Sequence, residues 1–385
     1  MVIGINGFEA VVPRFGFDKK TGLPNRVGSG EFCFQLLLEL SRIDKNNEYF
    51  VYLPKKPTSD MPKETGKWHY IVFSSKLWTL FGLSMKLFSD KNRIDIFFSP
   101  THYLPFYVPK PSTISILDIS YLHFPKLFKK RDLYQLKFWG RYSINKAKKI
   151  ITISKSSKND IIKAYGVLED KISVIYPGVK YETLNSKSEI NAKFKMQNSK
   201  FLEEKYNVRK EYVLFVGTLQ PRKNIIRLIE AFSRLKTDLQ LVIIGKKGWM
   251  WEDILKAPKK FGVEEKVKFL HTVSDDELPN FYKNAICFVL PSLYEGFGLP
   301  VLEAMKYGCP VLTSNISSLP EVGGEAALYF DPQSTEDIAK SLESIIQNPE
   351  LRKELVQKGY QQVKKFSWEK TARETLRVLE ELGKK

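Results

Sequence analysis

The 385-residue sequence has only three cysteines, Cys33, Cys287 and Cys309, and they are far apart. Their number and spacing argue against a disulfide framework or a zinc site and fit a reducing compartment, so we expect a cytoplasmic protein. No apolar run of about 18 residues occurs, and the sequence therefore predicts no membrane-spanning helix. The N-terminus has no basic residues before its first apolar run, so we expect no secretory signal.

Acidic residues are scarce relative to basic ones. The 43 Asp and Glu stand against 61 Lys and Arg, which gives a net charge of +18. Such an excess suits anionic substrates, anionic membranes or nucleic acid. Because the basic residues are spread over both halves and no nucleic-acid-binding module is recognisable, we expect no nucleic-acid partner. The length and the 43% hydrophobic content predict two globular domains.

Residues 287–324 have the pattern of strand, loop, helix and strand. The apolar run 287–290 has the length of a strand, and a glycine-containing loop, 293–299, follows it. Pro300 suits the first turn of a helix that would end near Gly308. Ligands of parallel α/β sheets bind beyond the carboxyl ends of the strands, so this loop is the expected binding site.

The chemistry of this loop suits a phosphate next to hydroxyl groups. Gly296 and Gly298 let the backbone approach a ligand closely, and the amides at the start of the helix favour an anion. Glu295 and Glu303 flank these glycines, and carboxylates suit hydroxyl donors such as a sugar or a ribose. The alternative is that Glu295 is a solvated loop residue and that Glu303 faces the helix dipole.

A second turn with phosphate chemistry follows the predicted strand 212–216. Gly217 and Thr218 begin the turn, and Arg222 and Lys223 lie just before the next helix. Arginine can bind phosphate oxygens bidentately and lysine adds a point charge, so this turn suits a diphosphate. The alternative is that both cations are solvated loop residues.

Two further candidates lie in the first half of the chain. The run Gly28-Ser29-Gly30 opens a helix after a long loop and could approach a donor phosphate or an acceptor, or it could be an ordinary helix start. His102 and Asp118 follow predicted strands and belong on the ligand-facing edge. His102 could donate to an acceptor hydroxyl or be a loop histidine without a role.

Two segments of the first half could contact a membrane. Residues 76–88 are apolar with lysines near the ends, which suits a membrane surface or a core-packing helix. Residues 124–149 mix basic and aromatic residues. They could form a helix with solvated cations, a surface for an anionic bilayer or a nucleic-acid surface.

The stretch PSLYEGFGLPVLEAMKYGCPVLTSNISSLPEVGG, residues 291–324, closely resembles the signature of family 4 glycosyltransferases. The resemblance implies an α/β protein of the GT-B fold, with two Rossmann-like domains facing each other across a cleft. Residues 1–178 would form the acceptor-side domain and residues 179–366 the donor-nucleotide-binding domain. The helix within 367–385 would return to the first domain. The resemblance is closest to the mannosyltransferase-like branch that builds bacterial surface polysaccharides.

This resemblance implies a retaining hexosyltransferase that uses a nucleotide diphosphate sugar as substrate, with no metal and no cofactor. The sequence has no Asp-x-Asp motif, which is consistent with metal-independent transfer. Mannose from GDP-mannose is the branch-level expectation, with a glycan or lipid-linked sugar as acceptor and peripheral contact with the inner face of an anionic membrane. The candidate catalytic residues are Glu295, which lies on the matching signature, and His102 and Asp118, which follow predicted strands. The implied donor-binding residues are Gly217, Thr218, Arg222, Lys223, Val273, Gly296, Phe297, Gly298, Leu299 and Glu303, and the implied cleft loop is Gly28, Ser29 and Gly30.

The chain departs from the family pattern at two positions. Relatives commonly have His-Asp where this chain has Leu117-Asp118, and many have arginine where this chain has Thr218. The absence of this histidine at Leu117 leaves three interpretations open. The protein could use another donor sugar, it could be a weaker enzyme, or His102 or Asp118 could take over part of the role of the histidine. Two other functions remain open: a non-catalytic sugar-nucleotide-binding protein, and a glycoside hydrolase that uses Glu295 and Glu303.

Overall fold

The computed structural model describes residues 1–13, 16–18, 21–179, 200–271 and 273–384. The chain forms two compact units, the first of Met1–Lys180 and Phe366–Lys385 and the second of Tyr181–Lys365. The polar composition of residues 180–208, with little apolar periodicity, predicts a linker followed by an entry helix, and this segment lies outside the described residues as far as residue 199. Residues 200–206 are helical and are labelled α7.

One parallel sheet of seven strands forms the centre of the first unit. The strands are Val2–Asn6 (β1), Glu48–Leu53 (β2), Trp68–Val72 (β3), Ile96–Ser99 (β4), Ser112–Ser115 (β5), Lys149–Thr152 (β6) and Ile172–Val174 (β7). Their order in the sheet is β3-β2-β1-β4-β5-β6-β7. From β1 the chain adds strands on one side, and from β4 it adds them on the other side. The carboxyl ends of β1 and β4 therefore flank the crevice where such sheets bind ligands.

Helices connect these strands and cover their apolar side chains. They are Phe8–Val11 (α1), Ser29–Ile43 (α2), Leu83–Ser89 (α3), Ser120–His123 (α4), Lys130–Lys146 (α5) and Lys155–Tyr165 (α6). A π-helical turn, Trp78–Gly82, runs directly into α3. The expected helix within 76–88 is thus a π-helical turn followed by a short α-helix.

The second unit also has a single parallel sheet, of six strands. The strands are Tyr212–Val216 (β8), Gln240–Ile244 (β9), Val267–Leu270 (β10), Cys287–Leu290 (β11), Val311–Ser314 (β12) and Ala327–Phe330 (β13). They lie in the order β10-β9-β8-β11-β12-β13. Here the order reverses between β8 and β11, which places the two predicted phosphate-binding turns next to each other, because each turn follows one of these strands.

The helices of the second unit follow its strands, and a final helix belongs to the first unit. Those of the second unit are Ile225–Ser233 (α8), Glu252–Lys260 (α9), Leu278–Asn284 (α10), Leu299–Lys306 (α11), Leu319–Gly323 (α12), Thr335–Gln347 (α13) and Pro349–Val363 (α14). The final helix, Trp368–Gly383 (α15), packs on α2, with the rings of Phe32 and Trp368 5.8 Å apart. This confirms the prediction of a C-terminal helix that returns to the first domain.

Within the part of the chain that the structure describes, no helix is both long enough and apolar enough to cross a membrane.

Candidate active site

The loop after β11 has the predicted form, with a strand before it and a helix after it. Gly298 is the N-cap of α11 and has a φ of 114°, in the region that favours glycine. A Cβ atom at this position would also lie 2.8 Å from a methyl group of Leu319. Pro300 lies in the first turn of α11, and Gly308, with a φ of 69°, follows its last turn.

The buried carboxylate of Glu295 is the centre of a cluster of charges in this loop. The Lys223 Nζ lies 2.5 Å from Oε1, and the Arg222 Nη1 lies 3.2 Å from Oε2. The Ser292 hydroxyl donates to Oε1 at 2.6 Å. The structure thus brings together the two predicted cations and the predicted catalytic carboxylate, which are more than 70 residues apart in the sequence.

The surroundings of Glu295 keep it ionised. Burial raises the pKa of this carboxyl, but the charges of Lys223 and Arg222 and the hydrogen bonds from Lys223 and Ser292 outweigh burial and hold the pKa at about 2. Its side chain is 10% exposed, and those of Lys223 and Arg222 are 10% and 14% exposed. Two cations against one carboxylate leave a net positive charge that suits a further anion.

The turn that supplies these cations is fixed at both ends by backbone contacts. Gly217 donates its N–H to Ile244 O at 2.9 Å, and a side chain at Gly245 would collide with the Gly217 oxygen. Arg222 donates from its guanidinium to the backbone oxygen of Tyr294, and its own carbonyl accepts the N–H of Leu293 at 2.9 Å. These hydrogen bonds hold the turn after β8 and the loop after β11 together.

Ser317 and Ser318, two serines for which the sequence indicated no role, hold the Glu295 backbone. Ser317, a non-glycine residue with a φ of 59°, accepts the Glu295 N–H at 2.9 Å and donates to the Glu295 carbonyl at 2.5 Å. Ser318 donates to the carbonyls of Glu295 and Phe297 at 2.9 and 2.7 Å. Both serines lie in the stretch 291–324 that resembles the family signature, and this position alone does not reveal their contact with Glu295.

Glu303, the second predicted carboxylate, lies in the second turn of α11. The hydroxyl of the fully buried Tyr282 donates to Glu303 Oε2 at 3.1 Å. Burial, together with the neighbouring Glu303 charge, raises the pKa of Tyr282, so the phenol remains a donor. The Glu303 carboxylate is thus half-buried and oriented from within the domain.

The remaining donor-site candidates lie at the same edge of the second sheet. Thr218 is half-buried beyond the carboxyl end of β8, and Val273 is half-buried beyond that of β10. The family resemblance would place the nucleotide base near residues 272–273, and Thr272 lies outside the described residues.

In the first unit the structure brings His102 and Asp118 together. The His102 Nε2 lies 3.3 Å from the Asp118 carbonyl oxygen, and the Asp118 carboxylate accepts the N–H of Ser120 at 2.9 Å. Both residues follow neighbouring strands, β4 and β5, at the carboxyl edge of the sheet. Leu117, at the position of the family histidine, is buried.

The Gly28 loop is a helix start with an additional polar contact. Gly28 is the N-cap of α2 with a φ of 54°, and its cap has no side-chain hydrogen bond. The Ser29 hydroxyl donates to Glu9 Oε2 at 3.0 Å, and a Cβ atom at Gly30 would lie 3.0 Å from the Glu9 carbonyl oxygen. Glu9, which follows the end of β1, was not singled out from the sequence.

No group of three or more His, Cys, Asp or Glu side chains is placed to hold a metal ion within the described residues.

Comparison with known proteins identifies the class. Residues 28–183 match the family model described as Glycosyltransferase Family 4, and residues 197–362 match the one described as Glycosyl transferases group 1. The structure resembles the sucrose-phosphate synthase of Thermosynechococcus elongatus, with a TM-score of 0.72, 16% identity and 99% of each chain covered. It also resembles WaaG, a glycosyltransferase involved in lipopolysaccharide biosynthesis, with a TM-score of 0.67, 15% identity and coverage of 98% of this chain and 99% of WaaG. The molecule is therefore a glycosyltransferase of the GT-B fold, as predicted.

The relatives in sequence include bacterial mannosyltransferases. The chain is 32% identical to the O-antigen chain mannosyltransferase B of Escherichia coli over 286 residues, which are 73% of each protein. It is 32% identical to the O-antigen chain mannosyltransferase RfbU of Salmonella typhimurium over 62% of this chain and 60% of RfbU. It also matches the serotype-specific mannosyltransferase WbdA of E. coli, of which it spans 28%. The chain belongs to glycosyltransferase family 4, which confirms the resemblance found in the sequence.

Proposed function

We propose that the protein is a retaining glycosyltransferase that moves mannose from GDP-mannose to a glycan or lipid-linked sugar in surface polysaccharide biosynthesis. The pairing of buried Glu295 with Arg222 and Lys223, next to the start of α11, carries the proposal for the donor site. The choice of mannose and of the pathway rests on the named functions of the O-antigen relatives.

The donor diphosphate would bind to Arg222, Lys223 and the amides of Gly298 and Leu299. Negative charge grows on the leaving phosphate as the glycosidic bond breaks, and fixed positive groups stabilise that charge without rearranging. Arg222 and Lys223 are both paired with Glu295, so this carboxylate restricts two long side chains that would otherwise have to be ordered by the donor.

Glu295 and Glu303 would bind hydroxyl groups of the donor. An ionised carboxylate only accepts hydrogen bonds, and sugar hydroxyls can donate them. Glu295 would take hydroxyls of the transferred sugar, while Glu303, oriented by Tyr282, would take those of the ribose. Gly296 and Phe297 would line the sugar, and Gly217, Thr218 and Val273 would lie along the nucleotide.

The acceptor would bind at the carboxyl edge of the first sheet, near His102, Asp118 and the run Gly28-Ser29-Gly30. His102 would donate to or orient an acceptor hydroxyl, aided by its contact with the Asp118 carbonyl. In a retaining transfer the acceptor proton can pass to the leaving phosphate, so the proposal needs no separate protein base. The enzyme would act in the cytoplasm, at the inner face of the membrane.

The test is transfer by the purified full-length protein. Thermal-shift screening of nucleotide sugars should show that GDP-mannose stabilises the protein, because a ligand at 100 times its Kd adds about 2.7 kcal/mol. NMR of the product should show the anomeric configuration of the donor. Release of free sugar from oligosaccharides without any nucleotide sugar would instead identify a hydrolase.

A second candidate function is non-catalytic binding of a sugar nucleotide. The buried Leu117 at the position of the family histidine favours it. This function predicts nucleotide-sugar binding with no transfer to any acceptor, and with no hydrolysis of the donor over long incubation. Transfer by wild-type protein that disappears in Glu295→Ala would exclude it.

A further inference from the structure

Glu9 lies at the crevice of the first sheet, beyond the carboxyl ends of β1 and β4. It belongs to α1, the short helix after β1, and its side chain is half-buried. Tyr103 follows β4 at the same edge of the sheet. The Asn6 amide donates to the Ser99 hydroxyl at 3.1 Å, and this hydroxyl donates to the Tyr103 carbonyl at 2.8 Å. These hydrogen bonds join the ends of the two strands and fix Glu9 and Tyr103 on the two sides of the crevice.

Only one oxygen of the Glu9 carboxylate is bonded to the protein. The Ser29 hydroxyl donates to Oε2 at 3.0 Å. Among the residues that the structure describes, Ser29 is the only hydrogen-bond partner of this carboxylate, and no lysine, arginine or histidine lies within ion-pair distance of it. Oε1 is therefore oriented by the protein and remains able to accept a hydrogen bond from a ligand.

A cation does pass beside α1, but it is paired with another acid. The Arg26 Nε donates to the Ala10 carbonyl at 2.7 Å. Its guanidinium pairs with Asp60 at 2.5 Å and lies 3.8 Å from the ring centroid of Phe34. The charge of Glu9 is thus left uncompensated in a chain with a net charge of +18. A half-buried carboxylate without a cation loses hydration and gains no ion pair, and such costs are typical of functional sites.

The Tyr103 phenol complements this carboxylate. Its side chain is half-buried, with its ring centroid 6.5 Å from that of His102. Its hydroxyl has no hydrogen-bond partner within the part of the chain that the structure describes. Burial, followed by the charge of Glu9, raises the pKa of this phenol, so the hydroxyl stays protonated and can donate. The crevice thus offers one acceptor and one donor, which suits the hydroxyl groups of a sugar.

The charge of Glu9 also bears on the ligand of the run Gly28-Ser29-Gly30. A helix start with glycines can bind a phosphate through its free amides and its dipole. Here the Ser29 hydroxyl is bonded to Glu9, and the Gly30 amide donates to the Val27 carbonyl at 3.2 Å. An uncompensated carboxylate at the same helix start repels a phosphate. The start of α2 therefore suits a neutral ligand better than the donor diphosphate.

We propose that Glu9 binds a hydroxyl group of the acceptor sugar and restricts the acceptor to sugars that are neutral at this position. Oε1 would accept from the sugar hydroxyl while Ser29 holds Oε2, and Tyr103 would donate to an oxygen of the same sugar. The charge of Glu9 would exclude phosphorylated sugars and uronic acids. The inference rests on the proposed function, because it concerns the acceptor of that transfer.

Acceptor kinetics of the full-length protein test the role of Glu9. The acceptors are methyl glycosides of mannose, glucose, galactose and N-acetylglucosamine, together with their 6-phosphates and uronic acids. Wild type should use at least one neutral glycoside and should prefer it to its acidic counterparts. Glu9→Gln should lower kcat/KM for this acceptor by about tenfold, since a hydrogen bond to a charged group is lost, and should leave the KM of the donor within about twofold. Glu39→Gln, at another paired glutamate of α2, is the matched control and should behave as wild type.

The preference between neutral and acidic acceptors separates binding from structural damage. Glu9→Gln should raise kcat/KM for the 6-phosphate relative to its neutral parent by about tenfold, because a like-charge repulsion is removed. A merely structural role would lower both values together. Tyr103→Phe should lower kcat/KM for the neutral acceptor by about fivefold, the scale of one neutral hydrogen bond. Saturation-transfer NMR with the same methyl glycosides measures their binding without any donor and should show the same losses.

Three results would overturn the proposal for Glu9. They are a wild-type preference for an acidic acceptor, the absence of binding and transfer with every neutral glycoside, and an unchanged preference in Glu9→Gln. GDP binding that becomes about tenfold tighter in Glu9→Gln would assign the start of α2 to the donor phosphate and would also overturn it. Failure of GDP-mannose to stabilise wild type would instead contradict the proposed donor. Glycoside binding by NMR needs no donor, so the two failures are recognised independently.

Discussion

Lys223 Nζ lies 2.5 Å from Glu295 Oε1, so the cation proposed for the donor phosphate is already paired with a carboxylate of the same site. Arg222 contacts the other oxygen of this carboxylate. One acid thus fixes both cations and still leaves an excess positive charge. We propose two separable effects of Glu295, one on the position of the cations and one on the donor sugar, and variants can distinguish them.

Glu295→Gln should separate binding of the nucleotide from transfer. The amide keeps the size of the side chain but removes its charge, so the two cations regain their full attraction for a diphosphate. We expect GDP to bind at least as tightly as to wild type, while the transfer rate falls by about 100-fold or more through loss of the charged contact to the sugar. Calorimetry with GDP and a transfer assay with GDP-mannose measure the two effects. Glu277→Gln, which removes another paired carboxylate of the second unit, should leave transfer unchanged.

The same residue should make stability depend on pH below about 4.5. The folded pKa of Glu295, about 2, is lower than the ordinary value of 4.5, so its contribution is fully present above 4.5 and is lost as the pH falls towards 2. The shift corresponds to about 3 kcal/mol. Chemical denaturation of wild type and Glu295→Gln should show a difference of this size at pH 7 that shrinks as the pH falls through this window. A difference independent of pH would show that the charge is not its source.

The hydroxyl group of Ser317 should stabilise the folded protein, although the left-handed backbone conformation of this residue is strained. Ser317→Ala loses both hydrogen bonds to the Glu295 backbone and keeps the left-handed conformation, so we expect a loss of about 2 kcal/mol in the free energy of unfolding. Ser317→Gly loses the same bonds but relaxes the strain, and its loss should be smaller by about 1 kcal/mol. Denaturation of both variants measures this order. If alanine proves no more harmful than glycine, strain at this position is negligible.

His102→Ala should affect the acceptor and spare the donor. The imidazole lies against the Asp118 carbonyl in the first unit, whereas the donor candidates lie in the second. We expect unchanged stabilisation by GDP-mannose and a transfer rate at least about tenfold lower, the scale of a lost acid–base or orienting group. His123→Ala, at an exposed histidine of the same unit, is the matched control. Weakened donor binding in His102→Ala would contradict the assignment to the acceptor.

Local patterns in the sequence predicted most of the elements near the site. The apolar run at β11, the glycines of the loop and Pro300 are properties of neighbouring residues, and they predicted a strand, a loop and a helix that the structure contains. The position of a turn relative to a parallel strand also indicates which edge of the sheet it occupies. For this reason Arg222, Lys223 and Glu295 could be assigned to one site before their contacts were known.

The contacts themselves depend on the tertiary structure. Glu295 meets Arg222 and Lys223 because β8 and β11 are neighbours in the sheet, and strand order is a long-range property that no local pattern encodes. Ser317 reaches Glu295 for a similar reason, since β12 pairs with β11. The sequence alone determined the class of protein and the residue types of its site, because these follow from short-range pattern and composition. Only the packed fold decided that Glu295 is a buried partner of two cations and that Ser29 bonds to Glu9 at the crevice of the first sheet.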